Sequence, residues 1–216
     1  MHTKNTKRLS ALIIAGSIAT GAHAIGPGFY LGAQAGATNL HNTTQTVQTG
    51  LASPATQSVT PSNTGIGERM FMGVGINKYA AAELGYTHYA PSTYKTSPSA
   101  IANTPAIREN GVDIVGKAMY PFESFAIFGK LGAIMMSRTP SGSLQPLSPT
   151  APRITATNNF HPLLGAGVSY ELTPNWVTDL SWTRALKGGG GFQNADFIAV
   201  GISYHFVDKY CGQFLC

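Results

Sequence analysis

The chain has few charges, few cysteines and no long apolar run beyond its first segment. Charged side chains make up 11% of its 216 residues, and the two cysteines, Cys211 and Cys216, lie near the C-terminus. Two cysteines alone do not make a structural zinc site; in an oxidising compartment they either form a disulfide or remain two thiols. After Ala24 no stretch reaches the roughly 18 consecutive apolar residues of a transmembrane helix. The remaining choices are a protein outside any membrane or a membrane-spanning β-barrel.

The first 24 residues contain the three regions of a cleavable secretory signal. Lys4, Lys7 and Arg8 form its positive start, and residues 9–19 form an apolar stretch too short to span a bilayer. Residues 22–24 then provide a cleavage site with alanine at both required positions. The segment therefore predicts export from the cytoplasm.

Removal of the signal leaves a nearly neutral chain. We expect residues 1–24 to be cleaved, residues 25–206 to form one domain, and residues 207–216 to form a short tail. In the mature chain, 11 basic side chains face 9 acidic ones. Since nucleic-acid binding needs a clustered basic face, we predict no nucleic-acid partner.

Eight segments of the mature chain alternate larger apolar residues with small or polar ones. Alternation with a period of two, repeated between turns, is the sequence signature of membrane β-barrel strands. The predicted strands run near residues 28–39, 69–77, 80–89, 111–120, 125–136, 163–171, 176–184 and 196–206.

One face of these strands is apolar, and the other carries charges amid glycine and serine. In a membrane barrel the apolar face points to lipid and the polar face points into the lumen. On this interpretation five charged side chains form an inward cluster: Glu83, Asp113, Lys117, Lys130 and Asp179. If only the alternation is considered, a soluble β-sandwich that exposes the same charges to solvent is the alternative fold.

The lengths of the connections favour the membrane barrel. Long polar connections near residues 40–68, 90–110, 137–162 and 185–195 alternate with short ones near residues 78–79, 121–124 and 172–175. Membrane barrels have short periplasmic turns and longer extracellular loops, whereas a soluble sandwich has no need to separate them. We therefore predict an all-β fold, an eight-stranded antiparallel transmembrane β-barrel, with both termini periplasmic and the long loops extracellular.

Four fragments, taken in order, resemble the OmpA-like family of small outer-membrane β-barrels. They are residues 28–36, 82–87, 112–118 and 165–176. The resemblance implies a porin-like protein of a Gram-negative outer membrane that is monomeric and has no cofactor. It also implies contact with outer-membrane lipid and lipopolysaccharide, and insertion by the barrel assembly machinery.

The same resemblance implies roles for particular residues. The family's assembly signal is an alternating apolar last strand that ends in an aromatic residue; the matching residues are Ile198, Val200, Ile202, Tyr204 and Phe206. Ten further residues follow Phe206, where many relatives stop. By strand position, Glu83, Lys117, Lys130 and Asp179 take the place of the family's luminal charges. Because side chains fill the interior of an eight-stranded barrel, a structural role for these charged residues is favoured over a role as an ion gate.

Several patterns point weakly to chemistry. Residues 111–117 resemble a phosphate-binding loop, but Ala118 replaces the magnesium-ligating hydroxyl and the segment alternates like a strand. The glycine run 188–191 suits a flexible loop better than an anion site. The mature histidines lack metal-ligand spacing; they are His41, His88, His161 and His205. We predict no metal site and no catalytic residues.

Three functions remain open at this point. Our prediction is a structural and surface-interaction protein whose loops contact host matrix or environmental ligands. A narrow pore for ions or small solutes would need a lumen that the charges, Phe71 and Phe128 obstruct. A lipid-modifying enzyme would use His88 or His161 with Ser or Asp, but no nucleophile with a fixed base is evident.

Overall fold

The computed structural model describes residues 27–49, 55–94, 106–141, 156–189 and 191–206. The predicted signal, residues 1–24, and the predicted tail with Cys211 and Cys216 lie outside the described residues. Every regular element described is a β-strand. Among these residues no helix is long and apolar enough to cross a membrane.

Twelve strands are described. They are β1 (Gly28–Leu40), β2 (Gln45–Thr49), β3 (Ala55–Val59), β4 (Pro61–Ser62), β5 (Thr64–Asn77), β6 (Ala80–His88), β7 (Ser92–Tyr94), β8 (Ala106–Phe122), β9 (Phe125–Ser141), β10 (Thr157–Glu171), β11 (Trp176–Ala185) and β12 (Ala195–His205). Loop 1 denotes residues 41–63, loop 2 residues 89–105, loop 3 residues 142–156 and loop 4 residues 186–194.

Eight of these strands close into an antiparallel barrel, as the alternation predicts. The ring runs β5, β1, β12, β11, β10, β9, β8 and β6, and then returns to β5. The first and last strands pair from Tyr30 opposite His205 to Leu40 opposite Ala195. Closure leaves the barrel wall without a free edge, which a strand structure in lipid requires.

The register shows that the barrel strands are tilted. Glu68 of β5 pairs with Ala35 of β1, and Ala35 pairs with Val200 of β12. When each residue is followed in this way to its partner on the next strand, the path round the ring reaches Tyr120 of β8. The path ends beside the β5–β6 turn, where Tyr79 accepts a hydrogen bond from Met119, and not at Glu68. A ring of tilted strands has this offset, and at this strand number its interior is just wide enough for side chains to fill.

The two faces of the wall have the polarity that the sequence predicts. Large apolar side chains point outward along every strand; Leu131, for example, is 71% exposed. Aromatic residues gather outside at the end that carries the short turns; they include Phe29, Tyr120, Phe122, Phe125, Trp176 and Phe206. Such a girdle is typical of a membrane interface. The two ends of the barrel are here called the short-turn end and the long-loop end.

Four barrel strands extend further into the long connections than the sequence predicts. β5 begins at Thr64, β8 begins at Ala106, β9 continues to Ser141 and β10 begins at Thr157. Outward residues in these extensions include Arg108 and Asn158, so the apolar alternation that marks a strand is lost there. Loops 1 and 2 also contain short strands: β2 pairs with β3, and β4 pairs with β7.

Candidate functional site

Glu83 lies at the centre of a luminal charge network. It projects inward from β6 and is 1% exposed. Lys130 Nζ lies 2.7 Å from its Oε2, and Lys117 Nζ lies 3.4 Å from its Oε1. Arg69 Nη1 is 3.6 Å from Oε2, and the Tyr30 hydroxyl donates to Oε1 at 3.0 Å. One carboxylate is thus surrounded by three cations.

A second carboxylate extends the network. Arg69 donates from Nη2 and Nε to the two oxygens of Asp113, at 2.7 and 3.2 Å. Arg69 also donates to the Gln34 side chain at 3.5 Å, and Gln34 donates to Asp179 Oδ1 at 2.5 Å. Three acidic and three basic side chains therefore offset one another, as a buried charge cluster requires.

All five side chains that the sequence assigns to the lumen lie inside the barrel. Glu83, Lys117 and Lys130 are in direct contact, whereas Asp113 joins them through Arg69 and Asp179 joins through Gln34. The bridging members of the network, Tyr30, Gln34 and Arg69, were not among the residues predicted from the sequence. Alternation does place all three on the inward face, but it gives no sign of which inward residues reach across the lumen.

Two phenylalanine rings fill the space around the network. Lys117 Nζ lies 4.2 Å from the ring centre of Phe128, and Lys130 Nζ lies 5.3 Å from it. Arg69 lies 5.0 Å from the ring centre of Phe71. The rings attract the cations through their electron-rich faces and occupy lumen volume at the same time.

An apolar layer lies between this network and the long-loop end. Along β9, the buried side chains of Ile134 and Met136 follow Lys130 and precede Arg138. Buried apolar residues from the other strands, from loop 2 and from loop 4 complete the cluster: Leu40, Tyr89, Val115, Leu163, Ala185, Phe192, Ala195, Phe197 and Ala199. Water and ions would have to displace packed side chains to pass this layer.

A second polar cluster, the mouth network, lies beyond the apolar layer and consists of Asn42, Asn63, Ser92, Glu109 and Arg138. Arg138 donates from Nε and Nη2 to Glu109 Oε1 at 3.0 and 2.8 Å, and from Nη2 to Asn42 Oδ1 at 3.0 Å. Asn42 donates to Ser92 at 3.0 Å, and Ser92 donates to Asn63 at 2.9 Å. The network joins loop 1 and loop 2 to strands β8 and β9.

Loop 4 also reaches the mouth network. Arg138 Nη1 donates to the Gly191 carbonyl at 3.1 Å, and its guanidinium lies 4.6 Å from the ring centre of Phe192. Nearby, the Tyr94 hydroxyl is buried without a hydrogen-bond partner in the described part of the chain, and burial raises the pKa of its phenol. Arg138 thus contacts loops 1 and 4 directly and is linked to loop 2 through the hydrogen bond from Asn42 to Ser92.

The family model of the OmpA-like transmembrane domain matches residues 27–210. The chain belongs to the OmpA-like transmembrane domain family. Together with the closed barrel, this membership identifies a bacterial outer-membrane β-barrel protein.

Individual relatives of this OmpA-like chain agree with that assignment. Outer membrane protein A of Serratia marcescens is 28% identical over 148 residues, which cover 65% of this chain but only 39% of the relative. An uncharacterised protein of Coxiella burnetii is 24% identical, and the match covers 84% of this chain and 86% of that protein. This chain therefore spans about two fifths of the first relative and most of the second.

Solved barrels have the same fold at low sequence identity. Neisserial surface protein A superposes with a TM-score of 0.53 at 15% identity, covering 82% of this chain and 97% of that one. The N-terminal barrel of Pseudomonas aeruginosa OprF superposes with a TM-score of 0.50 at 10% identity, covering 84% and 99%. At these identities the likeness establishes the fold alone.

The segment that resembles a phosphate-binding loop and the histidines considered above lie in or beside the barrel wall. Residues 111–118 are an uninterrupted part of β8, not a loop that opens a helix. The His88 ring lies 2.6 Å from the Asn110 amide oxygen. Neither nitrogen of His161 has a hydrogen-bond partner in the part of the chain that the structure describes. Ser203 and His205 are 3.2 Å apart on one strand, a pair that the sequence analysis did not single out. Within the described ranges, no three His, Cys, Asp or Glu side chains are arranged to hold a metal.

Proposed function

We propose that this OmpA-like protein acts at the cell surface, as a closed barrel whose long loops contact external ligands while the wall contributes to envelope integrity. The observation that carries the proposal is the filled lumen. A cavity of about 20 Å³ lies beside the charge network and is bordered by Tyr30, Glu83, Lys117 and His205. That volume accommodates about one water molecule, so this cavity has no room for a solute.

The proposed orientation places the long loops outside the cell. Both ends of the barrel chain meet at the short-turn end, where Phe206 donates its backbone N–H to Phe29 at 2.9 Å. In outer-membrane barrels the short turns are periplasmic and the longer loops are extracellular. The outer leaflet, with its lipopolysaccharide, would then surround the long-loop end. A protease added to intact cells should cleave only the loops; cleavage confined to the short turns would reverse the orientation.

The last strand supports insertion by the barrel assembly machinery. Ile198, Val200 and Ile202 are exposed on the outer face of β12, and Phe206, the next residue after that strand, is exposed as well. An insertion factor that binds this strand before closure would contact these apolar side chains. A Phe206→Ser variant should accumulate unassembled in the periplasm. A Phe122→Ser variant, which removes an exposed girdle aromatic from another strand, serves as the control. Equal assembly of both variants would argue against the signal.

A narrow pore is the competing function, and conductance tests it directly. Purified protein in a planar bilayer should show no unitary conductance, because ions meet the apolar layer and then the charge network. Regular, reproducible conductance steps from the wild-type barrel would overturn the closed-barrel proposal.

Surface binding tests the interaction role. Cells would display the full chain, or a variant in which residues 45–59 of loop 1 are replaced by a short Gly-Ser link. Asn42 and Asn63 are retained, so the mouth network stays intact. A second variant replaces residues 143–154 of loop 3 in the same way. The probes are extracellular-matrix proteins and epithelial cells.

Binding by the full chain that disappears with either replacement supports the proposal and assigns the site to that loop. Absence of binding by the full chain, or binding that survives both replacements, contradicts loop-mediated recognition of these probes. Heat-dependent migration on gels verifies in each case that the barrel is assembled.

A further inference from the structure

His161 is a buried histidine that is held in place mainly by packing. It points inward from β10 at the long-loop end and is 2% exposed, and neither ring nitrogen has a hydrogen-bond partner among the described residues. Buried polar atoms of native proteins are nearly always hydrogen-bonded. A histidine so placed is compatible with its site only while it is uncharged.

Loop 4 covers this ring. The Phe192 ring centre lies 4.9 Å from that of His161 at an interplanar angle of 63°. Gly188 also lies against the ring, where a Cβ would overlap the imidazole Nδ1. The loop is anchored by the Leu186 N–H, which donates to the Pro162 carbonyl at 2.9 Å. Closure of loop 4 is therefore what buries His161.

The charged groups that face His161 come from two other strands. Arg138 of β9 and Glu109 of β8 both act on the ring electrostatically, and the backbone of Leu186 also approaches it. Arg138 and Glu109 are already paired at 2.8 Å, and the Arg138 guanidinium lies against Phe192. A proton on His161 would add an unmatched positive charge beside a paired arginine.

We propose that loop 4 is a pH-sensitive latch, closed over neutral His161 and released when His161 is protonated. Release exposes the ring to water, which solvates the charge that the closed site leaves unpaired. The released state binds one more proton than the closed state, so falling pH favours release. Since a free imidazole titrates near pH 6.5, the closed state is fully favoured above about that pH and is lost progressively below it.

Spin-label mobility in the full chain tests the latch. The label is attached at Lys187→Cys in loop 4, with Cys211→Ser and Cys216→Ser preventing labelling elsewhere, and the barrel is placed in lipid nanodiscs. At pH 7.5 the spectrum should be dominated by an immobilised component. Between pH 6.5 and 5 a mobile component should grow, and its ratio to the immobilised one should change by at most about tenfold per pH unit for one proton.

Three variants connect the change to His161. His161→Phe keeps a ring against Phe192 but cannot be protonated, so its spectrum should stay immobilised at both pH values. His41→Gln, at an exposed histidine paired with Asp196 at 2.8 Å, should behave like the parent. Gly188→Ala should be mobile even at pH 7.5, because its methyl group overlaps the imidazole. Heat-dependent gel migration at both pH values distinguishes loop release from unfolding of the barrel.

A parent spectrum that does not change with pH would overturn the latch. The same conclusion follows if the His161→Phe spectrum changes as the parent does. Should His161→Phe fail to assemble, His161→Leu takes its place, and Gly188→Ala tests the closed geometry independently. None of these readouts depends on an external ligand, so failure of the latch leaves the surface-binding proposal untouched.

Discussion

Lys130 Nζ lies 2.7 Å from Glu83 Oε2, although the two residues come from strands that are not neighbours in the sheet. β8 separates β9 from β6, so this ion pair crosses the lumen instead of following the wall. Lys130 is 5% exposed and Glu83 is 1% exposed. A buried pair of this kind contributes little compared with well-packed apolar residues, but removing one partner leaves an uncompensated charge.

Glu83→Gln should therefore destabilise the barrel strongly. The substitution keeps the side chain's size but leaves three cations, Arg69, Lys117 and Lys130, with one fewer counter-charge. Loss of one partner from a buried pair costs about 3–5 kcal/mol. Urea unfolding in detergent micelles, followed by heat-dependent gel migration, measures the difference.

The control for this experiment is Glu68→Gln. Glu68 is exposed on the outer face of β5, so its neutralisation should change the free energy of unfolding by less than about 0.5 kcal/mol. Equal effects of the two substitutions would show that the luminal charges are solvated and that the lumen is open to water.

The strands and their faces were predictable because residues that face lipid must be apolar, whereas the alternate residues, which face the lumen, are mostly small or polar. Met70 and Met72 had to face lipid, so Arg69 and Phe71 had to face inward. The contacts inside the lumen were not predictable, because they depend on the tilt of the wall. Tilt brings Tyr30 of β1 within hydrogen-bond distance of Glu83 on β6, two strands away. Sequence alternation carries no information on that offset.

A charge on the lipid face should be costly in a way that depends on depth. Leu131 is near the middle of β9 and 71% exposed to lipid, whereas Phe125 lies in the girdle at the short-turn end. Leu131→Arg should lower the free energy of unfolding in lipid vesicles by about 2–4 kcal/mol, and Phe125→Arg should lower it by about 0–1 kcal/mol. Reversible folding into vesicles measures both values. Equal costs would mean that the membrane belt does not run where the apolar residues place it.

The mouth network predicts that Arg138 controls access to three loops. Arg138→Lys keeps the charge but loses the planar fork that reaches Glu109, Asn42 and Gly191 together. Proteinase K should therefore cleave loops 1, 2 or 4 faster in the variant, while the barrel core stays protected. Arg108 is exposed on the outer face of β8, two residues after that strand begins at Ala106. Arg108→Lys should therefore be cleaved like the parent. Unchanged cleavage in Arg138→Lys would show that the loops are ordered independently of it.

Arg138, Glu109 and Asn42 were assigned to polar connections because the sequence offers nothing to separate them from their neighbours. A buried Asn and an exposed Asn look alike in segments rich in Ser, Thr and Asn. β8 and β9 continue past the lipid belt, where both faces are polar and the period of two disappears. A strand is recognisable from sequence only while its two faces meet different surroundings.

Two glycines on opposite faces of the wall should respond oppositely to an added methyl group. Gly85 points inward, where a Cβ would lie 2.7 Å from Arg69 Cζ, a position that Asp113 fixes by two hydrogen bonds. Gly116 points outward, and the nearest atom to its Cβ would be a backbone oxygen at 3.8 Å. Gly85→Ala should therefore lose about 1–3 kcal/mol of unfolding free energy through overpacking. Gly116→Ala should be neutral or slightly stabilising, because alanine restricts the unfolded chain. Urea titrations of both variants decide the matter: if Gly85→Ala is as stable as Gly116→Ala, Arg69 is free to move, and the luminal network is looser than its hydrogen bonds indicate.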